Sequence, residues 1–188
     1  MEFLASLWLP ILLSAVFVFI VSSVFHMVLP IHKGDYRKVP QEDTVMSAMR
    51  SAGLQPGHYI LPCPDSMKEA ATPEMIEKYN RGPVGYMTVL PNGPINIGRS
   101  LLQWFVFTIV IGGFAAYLGH STLGDGATFL AVFRVTGIAA VLAYALSHVP
   151  DSIWKGSSWT ITGKFVFDGT VYGLVTAATL GWLWPAAA

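Results

Sequence analysis

The stretch from Lys164 to Pro185 limits the possible folds more than any other part of the chain. At ~20 residues it is long enough for a helix to cross a hydrocarbon layer of ~30 Å, yet it carries an ionisable residue, Asp168. Asp168, Tyr172, Thr176 and Thr179 follow at intervals of four, four and three, so they share one helix face. Gly169, Gly173, Ala177 and Gly181 recur every four residues beside them and leave a smooth groove. In lipid there is little hydrophobic drive between helices, and association rests on small residues that permit close approach and on polar groups that bond across the contact. A carboxylate is costly against acyl chains and has to face protein or water. The stretch therefore predicts a transmembrane helix enclosed on its polar side.

Three other apolar runs, residues 3–29, 101–118 and 127–147, join the one at 165–184. The chain is 53% hydrophobic and only 12% charged, about half the charge of an ordinary soluble domain. The expected fold is an all-α membrane protein of four transmembrane helices, with a small α+β cytoplasmic insertion between helices 1 and 2. Helix 1 is assigned to residues 1–30, the insertion to 31–99 and helices 2 to 4 to 100–188. The first run has no basic residue ahead of it and is too long for the core of a signal peptide, so it is expected to stay as an anchor.

Orientation follows from the basic residues. Lys33, Arg37, Lys38, Arg50, Lys68, Lys78, Arg81 and Arg99 lie between the first and second runs, and Lys155 and Lys164 lie between the third and fourth. Both connections fall on one side of a four-span protein, and the excess of Lys and Arg makes that side cytoplasmic. The expectation is a multi-pass protein of the plasma membrane, the inner membrane of a bacterium, with both termini outside. Arg134, the one remaining basic residue, is inside a span.

Within the insertion, Glu42-Asp43 opens an amphipathic segment that stops at Gly53, and Thr72-Pro73 opens a second. His58-Tyr59-Ile60-Leu61-Pro62 and Gly85 to Pro91 read as two strands that pair, giving the order helix, strand, helix, strand. Cys63 is the single cysteine, so no internal disulfide or thiolate metal cluster is available.

Reactive side chains gather at the cytoplasmic ends of the spans. His26, His32 and Asp35 leave the first, His148 and Asp151 leave the third, and Lys164 and Asp168 enter the fourth. Imidazoles and carboxylates at one level suit a divalent metal such as zinc, and His26, His32, His148 and Asp151 are the candidate ligands. Asp168, Tyr172 and Arg134 are the candidates for an ion or proton pathway, because ionisable groups inside a membrane mark such paths. The pattern demands no cofactor, and a divalent metal is the one it admits.

Several activities lack their motifs. There is no Gly-x-Ser-x-Gly, no phosphate-binding Walker loop and no Gly-x-Gly-x-x-Gly. Nucleic acid is not an expected partner, because the basic residues of the insertion are balanced by Asp35, Glu42, Asp43, Asp65, Glu69, Glu74 and Glu77. The first expectation is therefore a non-catalytic membrane subunit or scaffold that packs against other membrane proteins or itself, with the lipid bilayer as its other partner. Gly112 and Ala116 of the second run form a small-x-x-x-small pair suited to the groove on the last helix. A proton- or metal-linked channel or transporter acting as an oligomer is the second expectation. A membrane enzyme built on the histidine cluster is the third.

Overall fold

The computed structural model describes residues 2–187. They form two compact units, one of residues up to Asp35, Asn96–Ser152 and from Ser158 onward, the other of Tyr36–Ile95 with Ile153–Ser157.

The first unit is a bundle of four long helices: α1 (Glu2–Ser23), α5 (Ile97–Thr122), α6 (Phe129–Tyr144) and α8 (Trp159–Trp182). The other elements are α2 (Glu42–Ser51), β1 (Gly57–Leu61), α3 (Met67–Ala70), α4 (Pro73–Arg81), β2 (Gly85–Val89) and α7 (Val149–Lys155). Around the bundle, α1 packs on α5 and α8, and α6 packs on α5 and α8. Successive long helices run in opposite directions. At one end, Trp104 near the start of α5 donates through Nε1 to Ser22 Oγ near the end of α1 at 2.9 Å. At the other end, Phe3 lies edge-on to Tyr117, and Gly126 N–H donates to the Pro185 carbonyl at 2.8 Å.

Three segments are long and apolar enough to cross a membrane: Phe3–Val28, Ile97–Thr122 and Phe129–Lys155. α8 is not among them, because its glycines, threonines and Asp168 dilute its apolar content. It is instead the most enclosed helix, with Asp168, Tyr172, Thr176, Thr179 and Leu180 all buried.

The glycine stripe of α8 is what brings α6 close. A Cβ on Gly169 would strike the Tyr144 carbonyl, one on Gly173 would lie 2.7 Å from the Val141 backbone nitrogen, and one on Gly181 would press on Phe129. Ala177 faces Gly137 of α6. The expected partner of this groove was α5 through Gly112 and Ala116, and the structure corrects that. A Cβ on Gly112 would meet Ser14 Oγ at 3.0 Å and Ile11, both on α1. The short connection through α7 makes α6 and α8 neighbours, in keeping with the general rule that consecutive elements lie side by side.

Polar residues of the core also behave differently from the expectation. Thr108, Thr136, Thr176 and Thr179 are buried, but each donates to a carbonyl of its own helix: Phe105, Val132, Tyr172 and Val175 respectively. Such back-bonding satisfies the hydroxyl without linking helices.

The second unit contains the elements expected of the insertion, helix, strand, helix, strand, plus the one-turn α3. β1 and β2 are antiparallel, with Tyr59 opposite Met87 and Ile60 opposite Tyr86. Ser66 and Thr72 cap α3 and α4 by accepting from Glu69 N–H and Met75 N–H, and Pro73 takes the first turn of α4. Met75 is the buried side chain of α4.

The packing predicts an asymmetry between two glycines. Gly173→Ala forces a methyl against a backbone that cannot rotate away, and overpacking of this kind costs about 1–3 kcal/mol. A methyl added at Gly113 would meet nothing within 4 Å, so Gly113→Ala should be neutral or stabilising by up to about 1 kcal/mol through helix propensity. Melting of both variants in detergent checks this, and equal melting temperatures would show that the α6–α8 contact is looser than these distances imply.

Candidate functional site

At the end of the bundle where α1 finishes and α8 begins, the backbone of α1 changes pitch. Over Val24–Val28 the helix widens, and Leu29 N–H donates five residues back to the Val24 carbonyl at 2.9 Å. Such wide turns are uncommon and are found often at functional sites. Leu29 is extended, and Pro30–His32 then forms a tight turn that reverses the chain. The reversal lays the His32 ring on that of His26, with centroids 4.3 Å apart and planes inclined by 22°.

α8 supplies the counter-charges. His32 Nε2 lies 2.7 Å from Asp168 Oδ2, and His32 Nδ1 lies 2.7 Å from Asp35 Oδ2. Lys164, one turn before Asp168, donates to Asp35 Oδ1 at 2.5 Å and to the Ile31 carbonyl at 2.7 Å. The Asp35 and Asp168 side chains are 2% and 1% exposed. Phe165 lies against this group, tilted on His32 and stacked on His148 at 4.9 Å.

A neutral imidazole has one N–H, and here both ring nitrogens face carboxylate oxygens at bonding distance. The two contacts together require an imidazolium, a proton on a carboxyl group, or another cation. With His32 charged, two carboxylates balance Lys164 and the imidazolium, and the buried group is neutral. Removing one member of such a buried set leaves an uncompensated charge, at a typical cost of about 3–5 kcal/mol.

His26 fits this network less simply. Its Nε2 is 3.7 Å from Asp168 Oδ2, beyond a normal hydrogen bond, and its side chain is 40% exposed. Ligating atoms of His26, His32 and Asp168 nonetheless lie within 4.8 Å of one another. Asp168 Oδ1 is buried with no hydrogen-bond partner among the described residues, and so is the hydroxyl of Tyr172 one turn further along α8. Tyr172 sits among Phe25, Trp104 and Tyr144.

The structure thus brings His26 and His32 together and adds Asp168, which the sequence suggested for a pathway. His148 is one ring away, across Phe165, and Asp151 is in the first turn of α7, so neither joins the three-residue group. Arg134 is exposed on α6, separate from Asp168 and Tyr172. The role of Asp35 and Lys164 as the clamp on His32 was missed. Its signals were present in the spacing: His32 and Asp35 three apart, Lys164 and Asp168 four apart on one helix face.

No family model matches the chain, and neither a curated protein nor a solved structure matches it. The site has to be read from its own chemistry.

Asp35 lies outside the apolar segments, and its carboxyl is held below the usual value of 3.8, first by the Lys164 hydrogen bond and second by that from His32. A depressed carboxyl contributes stability that is complete above the ordinary value and is lost as the pH falls through the depressed one. The melting-temperature gap between the parent and Asp35→Asn should therefore persist from about pH 7 down to about pH 5 and close only below about pH 4. A gap that closes between about pH 5 and pH 7 would assign the effect to an imidazole instead.

Proposed function

We propose that this chain is a four-span integral membrane protein whose working part is a divalent-metal site formed by His26, His32 and Asp168. The observation that carries the reading is the convergence of three ligating atoms within 4.8 Å on a buried carboxylate that has one oxygen unpartnered. Two imidazoles and a carboxylate match the donors zinc takes, and three protein ligands leave a position for water or substrate. Metal-bound histidines characteristically offer their second nitrogen to a carboxylate, which orients the ring. Asp35 stands in that relation to His32, and Lys164 holds Asp35 in turn.

α8 is the proposed fourth span. Its 24 residues suffice in length, and its polar face is turned into the bundle, so the hydropathy demanded of a lipid-facing helix does not apply to it. The distribution of Lys and Arg then supports an orientation with both termini outside and residues 31–99 on the cytoplasmic side of a plasma membrane, the inner membrane in a bacterium. The metal site falls at that cytoplasmic end. Metal-linked transport by an oligomer would use the same centre.

A packing subunit or scaffold is the second reading. The α8 groove does not support it, because α6 of the same chain occupies that groove. Its remaining support is the outward face of the β1–β2 pair, where Ile60 and Tyr86 are exposed.

Metal content of the purified full chain decides between them. The parent loaded with Zn2+ should hold one metal per chain, and His32→Ala and Asp168→Asn should each lose it at least about tenfold in affinity. Chelation should lower the melting temperature of the parent alone. A parent that takes up neither Zn2+ nor Co2+ overturns the metal reading and leaves the packing one.

A further inference from the structure

Arg134 is the single basic residue outside the connections between the apolar runs. It lies five residues into α6, about 7.5 Å along the axis from Phe129 at 1.5 Å per residue, in a segment apolar enough to cross a membrane. Its side chain is exposed, and it has no hydrogen bond or ion pair with any described residue. Neither Asp125 nor the polar face of α8 reaches it. A guanidinium at this depth cannot shed its charge, and an anion at the headgroup level within reach of its stem is a favourable partner for it.

From Arg134 an apolar cleft continues along α6. It is lined by Phe133, Gly137, Ile138, Val141 and Leu142 of that helix and by Leu174 of α8. Arg134, Ile138 and Leu142 follow at intervals of four, so charge and apolar wall form one continuous line on the outer face.

We infer that this is a fixed site for one phospholipid, its phosphate held by Arg134 and one acyl chain lying in the cleft. The two halves of the surface match the two halves of that molecule. The planar guanidinium takes a phosphate through paired hydrogen bonds, the flexible stem lets it reach toward the headgroup level, and the cleft leads from it toward the middle of the bilayer. A second copy of the chain does not offer the same match. Apart from Glu2 at the start of α1, the four long helices hold one acid, Asp168, and it is 1% exposed, so no carboxylate comes to this depth from another copy. The site is at the far end of α6 from the histidine centre and stands independently of the metal reading.

The test is native mass spectrometry of the full chain, delipidated in nonionic detergent and titrated with phosphatidylglycerol. The parent should retain one lipid, and Arg134→Leu should bind it at least about tenfold more weakly. Ile138→Trp, which fills the cleft without touching the charge, should weaken it similarly. An unchanged melting temperature of the delipidated protein would show that both variants are folded, with Arg134→Gln replacing the leucine variant if that one is not. Equal lipid retention by the parent and Arg134→Leu overturns the proposal. Displacement of the lipid by millimolar inorganic phosphate would assign the site to free phosphate and also overturn it. So would a dimer of the parent that Arg134→Leu dissolves, because the occupant would then be a protein.

Discussion

The buried carboxylate of Asp168 is the constraint around which one end of the bundle is built. A carboxyl group 1% exposed among apolar helices has to be satisfied by the chain itself. α8 cannot compensate it alone, because Lys164 on the same face is engaged by Asp35 and the Ile31 carbonyl. The partner comes instead from beyond the end of α1. The widened turn over Val24–Val28, the extended Leu29 and the tight turn at Pro30–His32 together bring His32 back onto α8. Pro30 favours the extended Leu29 before it, and the three departures from regular helix together make that one contact possible.

A second constraint acts along the rest of α8, and it is steric. Glycines at four-residue spacing let the α6 backbone approach until a methyl group at Gly169 or Gly173 would have no room. The buried threonines contribute little to holding helices together, since Thr136, Thr176 and Thr179 return their hydrogen bonds to their own helices. α8 therefore divides its two stripes between two tasks. The small residues make the contact with α6, and the polar stripe supplies an interhelical electrostatic link at Asp168, with Tyr172 buried in an aromatic cluster behind it.

Much of this was readable from residue order. The apolar runs, the enclosed character of α8 and the alternation of helix and strand in the second unit follow from composition, periodicity and capping residues such as Thr72-Pro73. The partner of the α8 groove did not follow, because Gly112 and the stripe on α8 are equally good small-residue faces and sequence alone does not say which neighbour takes which. The break after Tyr144 was hidden in a run of uniform hydropathy, and the short helix Val149–Lys155 lies in the mixed connection that follows it. The composition of the site was half legible. His26 and His32 could be picked out as groups at one membrane level, but Asp168 and His32 are 136 residues apart, and their meeting depends on a chain reversal that Pro30 marks without specifying its direction. His148, at the same level, was indistinguishable from them until Phe165 appeared between the rings.

His26 is the residue on which the proposed metal site and a purely structural ion network differ. With His32 charged, its pairing with Asp35 and Asp168 balances the buried charges, and a network serving stability alone would be complete with those groups and Lys164. His26 adds nothing to that balance: its nitrogen is too far from Asp168 for a hydrogen bond, and stacking two imidazoles penalises charging both. The same placement is what a cation between the rings and the carboxylate requires, since a metal at ~2.0–2.2 Å from each donor holds those donors about 3–4 Å apart. The 3.7 Å separation of His26 Nε2 and Asp168 Oδ2 falls in that range, whereas the 2.7 Å contact of His32 with Asp168 is a hydrogen bond. In the proposed metal site a cation would take the place of the proton in that bond, while Asp35 and Phe165 contact the His32 ring elsewhere and would orient it.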